Sequence, residues 1–199
     1  MNSMEQCNYE VGEFIGHTID ILKNLDLNNQ IYEVVQKVSL CRGKIITTGM
    51  GKNYHIAQKV SSTFNSLKIP SCVLHPGEAM HGDSGIMSEH DILLVFSTSG
   101  KTDEIIKVIE VSRILGINCV ISLTSHSFSP IKKMSDLFID VGEIKEAGYL
   151  GLAPTTSTLV MLLVGDIIAT LVAKEKMVTV KDYHDRHHNG YLGEKSAVQ

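Results

Sequence analysis

The chain has no tryptophan, and aromatic residues make up only 6% of its 199 positions. With so few rings there is no obvious platform on which nucleobases or a polysaccharide would stack. Basic clusters are missing too. Eighteen lysines and arginines face 22 acidic residues, the formal net charge is -4, and no run of five cationic residues occurs. That pattern argues against a nucleic-acid surface. An anionic ligand must then be held by local dipoles rather than by a global field. Cysteine is sparse. Cys7, Cys41, Cys72 and Cys119 are scattered with no CxxC pair, which fits neither a disulfide scaffold nor a zinc finger and matches cytosolic usage. Cys72 and Cys119 fall in strand-like runs and are expected to be buried. The first residues, MNSMEQCNYE, lack the basic and apolar regions of a secretory leader. The longest apolar stretch, Thr158 to Ala173, is interrupted by Gly165 and Asp166 and reads as a buried helix, too short for a bilayer. These absences predict a cytoplasmic protein with neither membrane nor nucleic acid as partner.

What is present is ordinary globular material, 43% apolar and 20% charged, long enough for one domain with a full core. Residues 9–41 show helical spacing, with Phe14, Ile15, Ile19, Leu22 and Leu25 on one face and Ile31, Val34, Val35 and Val38 continuing it after Asn28-Asn29. Strands and helices then alternate. Strands are predicted at Lys44–Gly49, Ser71–His75, Asp91–Ser97, Asn118–Leu123 and Leu137–Val141. Helices are predicted at Asn53–Leu67, Thr102–Leu115, Ser129–Ser135 and Pro154–Lys176. The run DILLVFS is apolar throughout, as in a strand buried on both faces. Five strands alternating with helices predict an α/β fold, a parallel doubly wound sheet covered on both sides. Such sheets bind ligands beyond the carboxyl ends of their strands.

Two loops fall there. The first is Gly49-Met50-Gly51-Lys52, between the first strand and its helix. Glycines allow close backbone approach, the helix N-terminus offers unpaired N–H groups, and Lys52 adds a charge. It is not a Walker loop, because Asn53 stands where a magnesium-holding Ser or Thr is needed. Nor is it GxGxxG. A tight turn that binds nothing is the alternative. The second loop is Ser97-Thr98-Ser99-Gly100-Lys101-Thr102, followed by Asp103 and Glu104. Four hydroxyls and a helix N-terminus suit phosphate. A simple helix cap by Thr102 would explain one hydroxyl and leave Ser97, Thr98 and Ser99 without a purpose. Glu104 reads either as a first-turn helix carboxylate or as a base. Glu146 lies in a glycine-rich loop before the last helix, which opens with Thr155-Thr156-Ser157-Thr158. Histidines cluster at His75, His81 and His90 and at His184, His187 and His188, without metal-site spacing. No metal and no cofactor is expected.

In this order, GMGK, HPGEAMHGD, STSG with TDE, KEA with LGLAPTTST, and a final-helix GD resemble the sugar isomerase (SIS) domain family, and more narrowly its arabinose-5-phosphate isomerase branch. The resemblance covers about 44–193. It implies a single SIS domain over 1–199, without the CBS modules of full-length members. Its parts would be N-terminal helices at 1–42, the α/β core at 43–177 and a C-terminal segment at 178–199 that contributes to the active site. It implies reversible aldose–ketose conversion of a small sugar phosphate, of the kind D-ribulose 5-phosphate to D-arabinose 5-phosphate. It also implies a homodimer or homotetramer with active sites between subunits. The family's catalytic residues fall on Lys52, Glu104, Glu146 and His187. The candidate substrate-binding residues are Gly49, Gly51, His81, Ser97, Thr98, Ser99 and Thr102. One departure is plain: His187 is followed by His188-Asn189-Gly190, where the family usually has Pro-Gly-Gly. Another SIS isomerase, acting on a hexulose 6-phosphate or an amino-sugar phosphate, and a non-catalytic phosphosugar sensor are the alternatives.

Overall fold

The computed structural model describes residues 2–187 and 190–197. Five strands form one sheet: β1 (Ile45–Gly49), β2 (Ser71–Leu74), β3 (Ile92–Phe96), β4 (Cys119–Thr124) and β5 (Leu137–Asp140). Their order is β2-β1-β3-β4-β5, and every pairing is parallel. The α/β fold read from the alternating pattern is therefore the fold observed. The chain leaves β1 toward one side to make β2, then crosses back to place β3 on the other side. The carboxyl ends of β1 and β3, where Gly49 pairs with Phe96, are thus the topological switch point of the sheet.

Side-chain alternation divides the core in two. Ile45, Ile92, Leu94, Phe96, Ile121 and Leu123 face one layer. It holds α2 (Asn28–Ser39), α3 (Lys52–Ser66) and α7 (Thr156–Glu175). Ile46, Leu93, Val95 and Val120 face the other. There lie α4 (Pro76–Ala79), α5 (Asp103–Ile114) and α6 (Pro130–Met134), with a single 3₁₀ turn, Asp83–Ile86, beside them. The β1 threonines are buried without penalty. Thr47 Oγ1 donates to the Ala57 carbonyl at 2.8 Å and Thr48 Oγ1 to the Leu74 carbonyl at 2.8 Å.

By length and composition α7 would reach across a membrane, but it is packed between α2 and α3 over the sheet. Its two interruptions have a local cause. A Cβ on Gly165 would come within 2.5 Å of Val60 Cγ2, so glycine lets α3 and α7 approach closely. Asp166 then pairs with Lys59 at 2.5 Å and accepts from Thr63 at 3.2 Å. Pro154, expected near the first turn of this helix, lies just outside it. Thr155 is the N-cap residue.

Three expectations need correction. The first helix, α1 (Ser3–Lys23), begins well before residue 9, and a capping box between Asn2 and Glu5 starts it there. Its proposed inner face is only half used. Leu22 and, just past the helix, Leu25 pack on the core, as does Ile21 from outside that face, whereas Ile15 and Ile19 are exposed. Cys119 is buried as expected, but Cys72 is half-buried because β2 is the edge strand. The C-terminal segment carries two short helices, α8 (Val180–His184) and α9 (Tyr191–Ala197).

Candidate active site

Each side of the switch point carries one of the two loops. Gly49 ends β1 against the start of α3. A Cβ there would stand 2.6 Å from the backbone C and O of Asn53, so only glycine permits this turn. Gly51 serves differently. Its surroundings are open, but its φ of +61° favours glycine. As N-cap of α3 it brings no side-chain cap, which leaves the first N–H groups of that helix available to an anion. Lys52, the first residue of α3, is exposed and makes no ion pair among the described residues.

On the other side, Ser97 is buried at 2% exposure, and Gly100, with φ +62°, closes a turn by donating its N–H to the Ser97 carbonyl at 3.1 Å. Lys101 N donates to Ser99 Oγ at 3.3 Å. Thr102 occupies the N-cap of α5, yet its hydroxyl makes no capping bond. The simple-cap explanation of this loop therefore fails even for the residue on which it rested. A cross-link joins the loops, because Asn53 Nδ2 donates to Thr98 Oγ1 at 3.3 Å. Thr98, expected to bind substrate, is thus partly committed to its neighbour.

Among the described residues, four buried side-chain oxygens have no hydrogen-bond partner: Asn53 Oδ1, Ser97 Oγ, Ser125 Oγ and Ser157 Oγ. Native proteins leave few such atoms, since each costs desolvation without return. All four lie after a strand's carboxyl end or in the first turn of a helix at that end of the sheet. Ser125 sits against the second loop, its N–H donating to the Thr98 carbonyl at 3.0 Å. Asn53 is a residue that sequence reading noticed only as a departure from a Walker loop. Its side-chain amide could not be seen to bridge two loops without the sheet order.

The two glutamates differ sharply. Glu104, in the first turn of α5, is exposed and has no hydrogen-bond or ion-pair partner among the described residues. Glu146 is engaged. Its Oε2 accepts from Thr155 N at 2.9 Å, Ser157 N at 3.1 Å and Thr155 Oγ1 at 3.3 Å, so it caps α7 in place of the N-cap side chain. Burial pushes the Glu146 carboxyl up, but the Ser157 and Thr155 donors outweigh it and hold it below the usual carboxylate range. The Ser157 hydroxyl stands beside this carboxylate without reaching hydrogen-bond geometry. A lowered value stabilises the ionised form, the opposite of what a base facing carbon acids needs. The corresponding stability is present above the unfolded-chain pKa and lost as pH falls through the folded one. Glu146→Gln should therefore cost about 1 kcal/mol at neutral pH, an amount moderated by partial exposure. In thermal melts, the gap between wild type and variant should close as pH falls below the usual carboxylate range. A gap that persists at acid pH would show that Glu146 contributes something other than a charged cap.

The histidines do not converge on the loops. His81 is exposed, between α4 and the 3₁₀ turn. His75 caps α4, its Nδ1 accepting from Gly77 N at 3.1 Å, and stands edge-on to Tyr54 with ring centroids 4.6 Å apart. His187 stacks on Tyr183 at 3.9 Å and donates from Nδ1 to the Tyr183 carbonyl at 2.9 Å, which leaves Nε2 as an acceptor when the ring is neutral. Its segment packs on the edge made by α3 and β2, held by a Lys68–Asp182 ion pair at 2.5 Å. No hydrogen bond or ion pair among the described residues joins His187 to either loop. The β1–β3 pairing thus sets the loop that ends in Lys52 beside the loop that carries Ser97, Thr98, Ser99, Thr102 and Glu104, while the segment of His187 lies at the β2 edge. His188 and Asn189 lie outside the described residues.

An open parallel sheet whose two glycine- and hydroxyl-bearing loops flank its switch point defines a doubly wound α/β domain, of the class that takes ligands at that point. The chain belongs to the SIS domain family, whose model matches residues 40–171. It is 38% identical over 178 residues to arabinose 5-phosphate isomerase KdsD of Escherichia coli O157:H7, covering 88% of this chain and 54% of that protein. The chain therefore spans about half the length of the curated relatives it matches. Two solved structures cover nearly all of it. A putative phosphosugar isomerase involved in capsule formation from Bacteroides fragilis NCTC 9343 superposes with a TM-score of 0.89 at 36% identity, over 93% of this chain and 99% of that one. The E. coli CFT073 protein c3406, in complex with arabinose 5-phosphate, superposes with a TM-score of 0.88 at 30% identity, over 94% of this chain and 100% of that one.

Proposed function

We propose that this chain is a phosphosugar aldose–ketose isomerase that interconverts D-ribulose 5-phosphate and D-arabinose 5-phosphate through an enediol(ate). The observation that carries the reading is the pair of buried, partnerless oxygens Asn53 Oδ1 and Ser97 Oγ on the two sides of the switch point, where α3 and α5 start without side-chain caps. It gains support from a relative of near-identical fold whose structure holds arabinose 5-phosphate.

The phosphate is bound by Ser97, Ser99 and Thr102 together with the N-termini of α3 and α5, and Gly49 and Gly51 let the backbone approach it. That binding energy fixes the reacting carbons. Glu104 takes the proton from C2 of the aldose to give an enediolate, and returns a proton to C1 to give the ketose. No net oxidation occurs, so the proton transfer itself calls for no redox cofactor. Lys52 offsets the negative charge that develops on the enediolate oxygen. Glu146 anchors α7 beside the crevice rather than moving the proton. His187 shuttles hydroxyl protons from a second copy of the chain. The exposed apolar residues Ile15 and Ile19 on α1 and Leu159 and Leu163 on α7 provide surface for such an assembly.

Purified protein offered pentose 5-phosphates, a hexulose 6-phosphate and an amino-sugar phosphate should turn over the pentose pair with the highest kcat/KM. A better rate on another member of the panel would shift the substrate within the same chemistry. Binding of pentose phosphates with no conversion of any compound would make the chain a sensor instead.

A further inference from the structure

We propose that Asn53 is a specificity-determining residue that reads a hydroxyl of the sugar, so that the crevice separates phosphosugars from plain phosphate. This rests on the phosphosugar reading above and deepens it.

The groups that favour an anion here are donors or positive: helix N–H groups, hydroxyls and Lys52. Asn53 Oδ1 is different. It is a buried acceptor with no partner, on an amide whose other end is fixed to Thr98. A carbonyl oxygen repels a phosphoryl oxygen and attracts an O–H. The atom therefore marks a place where the ligand must donate, next to a surface where it must accept. A sugar phosphate is both at once, and inorganic phosphate lacks the sugar hydroxyl.

Three features hold the amide in place. Thr98 fixes its nitrogen. Its own backbone lies hard against Gly49, where a Cβ would come within 2.6 Å of Asn53 C and O. The next residue, Tyr54, packs edge-on against His75, which ends the loop after β2. An acceptor positioned by three neighbouring loops is preorganised, so it discriminates without further ordering on binding. A site built to bond a hydroxyl rejects ligands that lack one, because its own polar atom is then left unpaired.

The test compares two ligands by calorimetry, D-arabinose 5-phosphate and inorganic phosphate, with wild type, Asn53→Ala and Asn53→Asp. The readout is the ratio of the two affinities, which general loosening of the fold does not move. Asn53→Ala should lower that ratio about tenfold. Asn53→Asp keeps an acceptor in place, so both affinities should fall from the added charge while the ratio holds. A ratio unchanged in Asn53→Ala, or lost equally in both variants, overturns the assignment and leaves the phosphosugar reading standing. Wild type that binds inorganic phosphate but not the sugar phosphate overturns that reading, and the assignment with it.

Discussion

Replacing Glu104 by glutamine should lower kcat by about 10²- to 10⁴-fold while leaving phosphosugar affinity within a few-fold of wild type. The substitution is nearly isosteric and removes only the ability to accept a proton. Glu104 is exposed and free of partners among the described residues, so its loss disturbs no packing or cap, and thermal stability should stay unchanged. Glu146 gives the reverse pattern, because its carboxylate is engaged at the start of α7. Its removal should appear in stability first. Turnover of Glu104→Gln at the wild-type rate would remove Glu104 from the proton transfer. An accompanying loss of affinity would assign it to binding instead.

Gly49→Ala should be the most damaging small substitution at the crevice. The added methyl meets backbone, Asn53 C and O at 2.6 Å, and not the movable tip of a side chain. Overpacking of this kind costs about 1–3 kcal/mol, roughly 2–4 °C of Tm for each kcal/mol in a chain this long. The displaced element is the first turn of α3, which carries Lys52 and the Asn53–Thr98 cross-link. Phosphosugar affinity should therefore fall at least about tenfold, since it depends on this placement. Gly51→Ala meets no neighbour, but its φ of +61° with ψ −127° is a conformation that glycine adopts and other residues resist, a strain of about 1–3 kcal/mol. Its stability loss should be comparable, but its affinity loss the milder of the two, because it pushes on no neighbouring backbone. Equal affinity losses from both would mean that steric approach at Gly49 does not shape the loop.

Much of this molecule is legible in its sequence because alternating apolar runs and helical spacing are local signals. DILLVFS could only be a strand covered on both faces, and β3 is buried throughout. The positions of the two loops were legible because glycines and clustered hydroxyls directly follow the apolar runs that form β1 and β3. What could not be read is whatever depends on strands distant in sequence becoming neighbours. The Asn53–Thr98 bond spans 45 residues, and only the β1–β3 pairing brings the two together. The capping role of Glu146 depends on a long loop folding back to the start of α7. The placement of His187 depends on which edge of the sheet its segment covers. On α1, the pattern that predicted an inner face at Ile15 and Ile19 was apolar periodicity alone. Periodicity does not say whether the surface that meets it belongs to the same chain.

The most direct test of the central claim is proton exchange at carbon. The protein is incubated in D₂O with D-ribulose 5-phosphate or D-arabinose 5-phosphate, and the C1 and C2 protons are followed by NMR. An enediol route predicts interconversion of the two sugars, with deuterium appearing at C2 of the aldose and at C1 of the ketose, and neither process in Glu104→Gln. Sugar phosphate that stays bound, unconverted and fully protonated in the presence of the wild-type protein would contradict it.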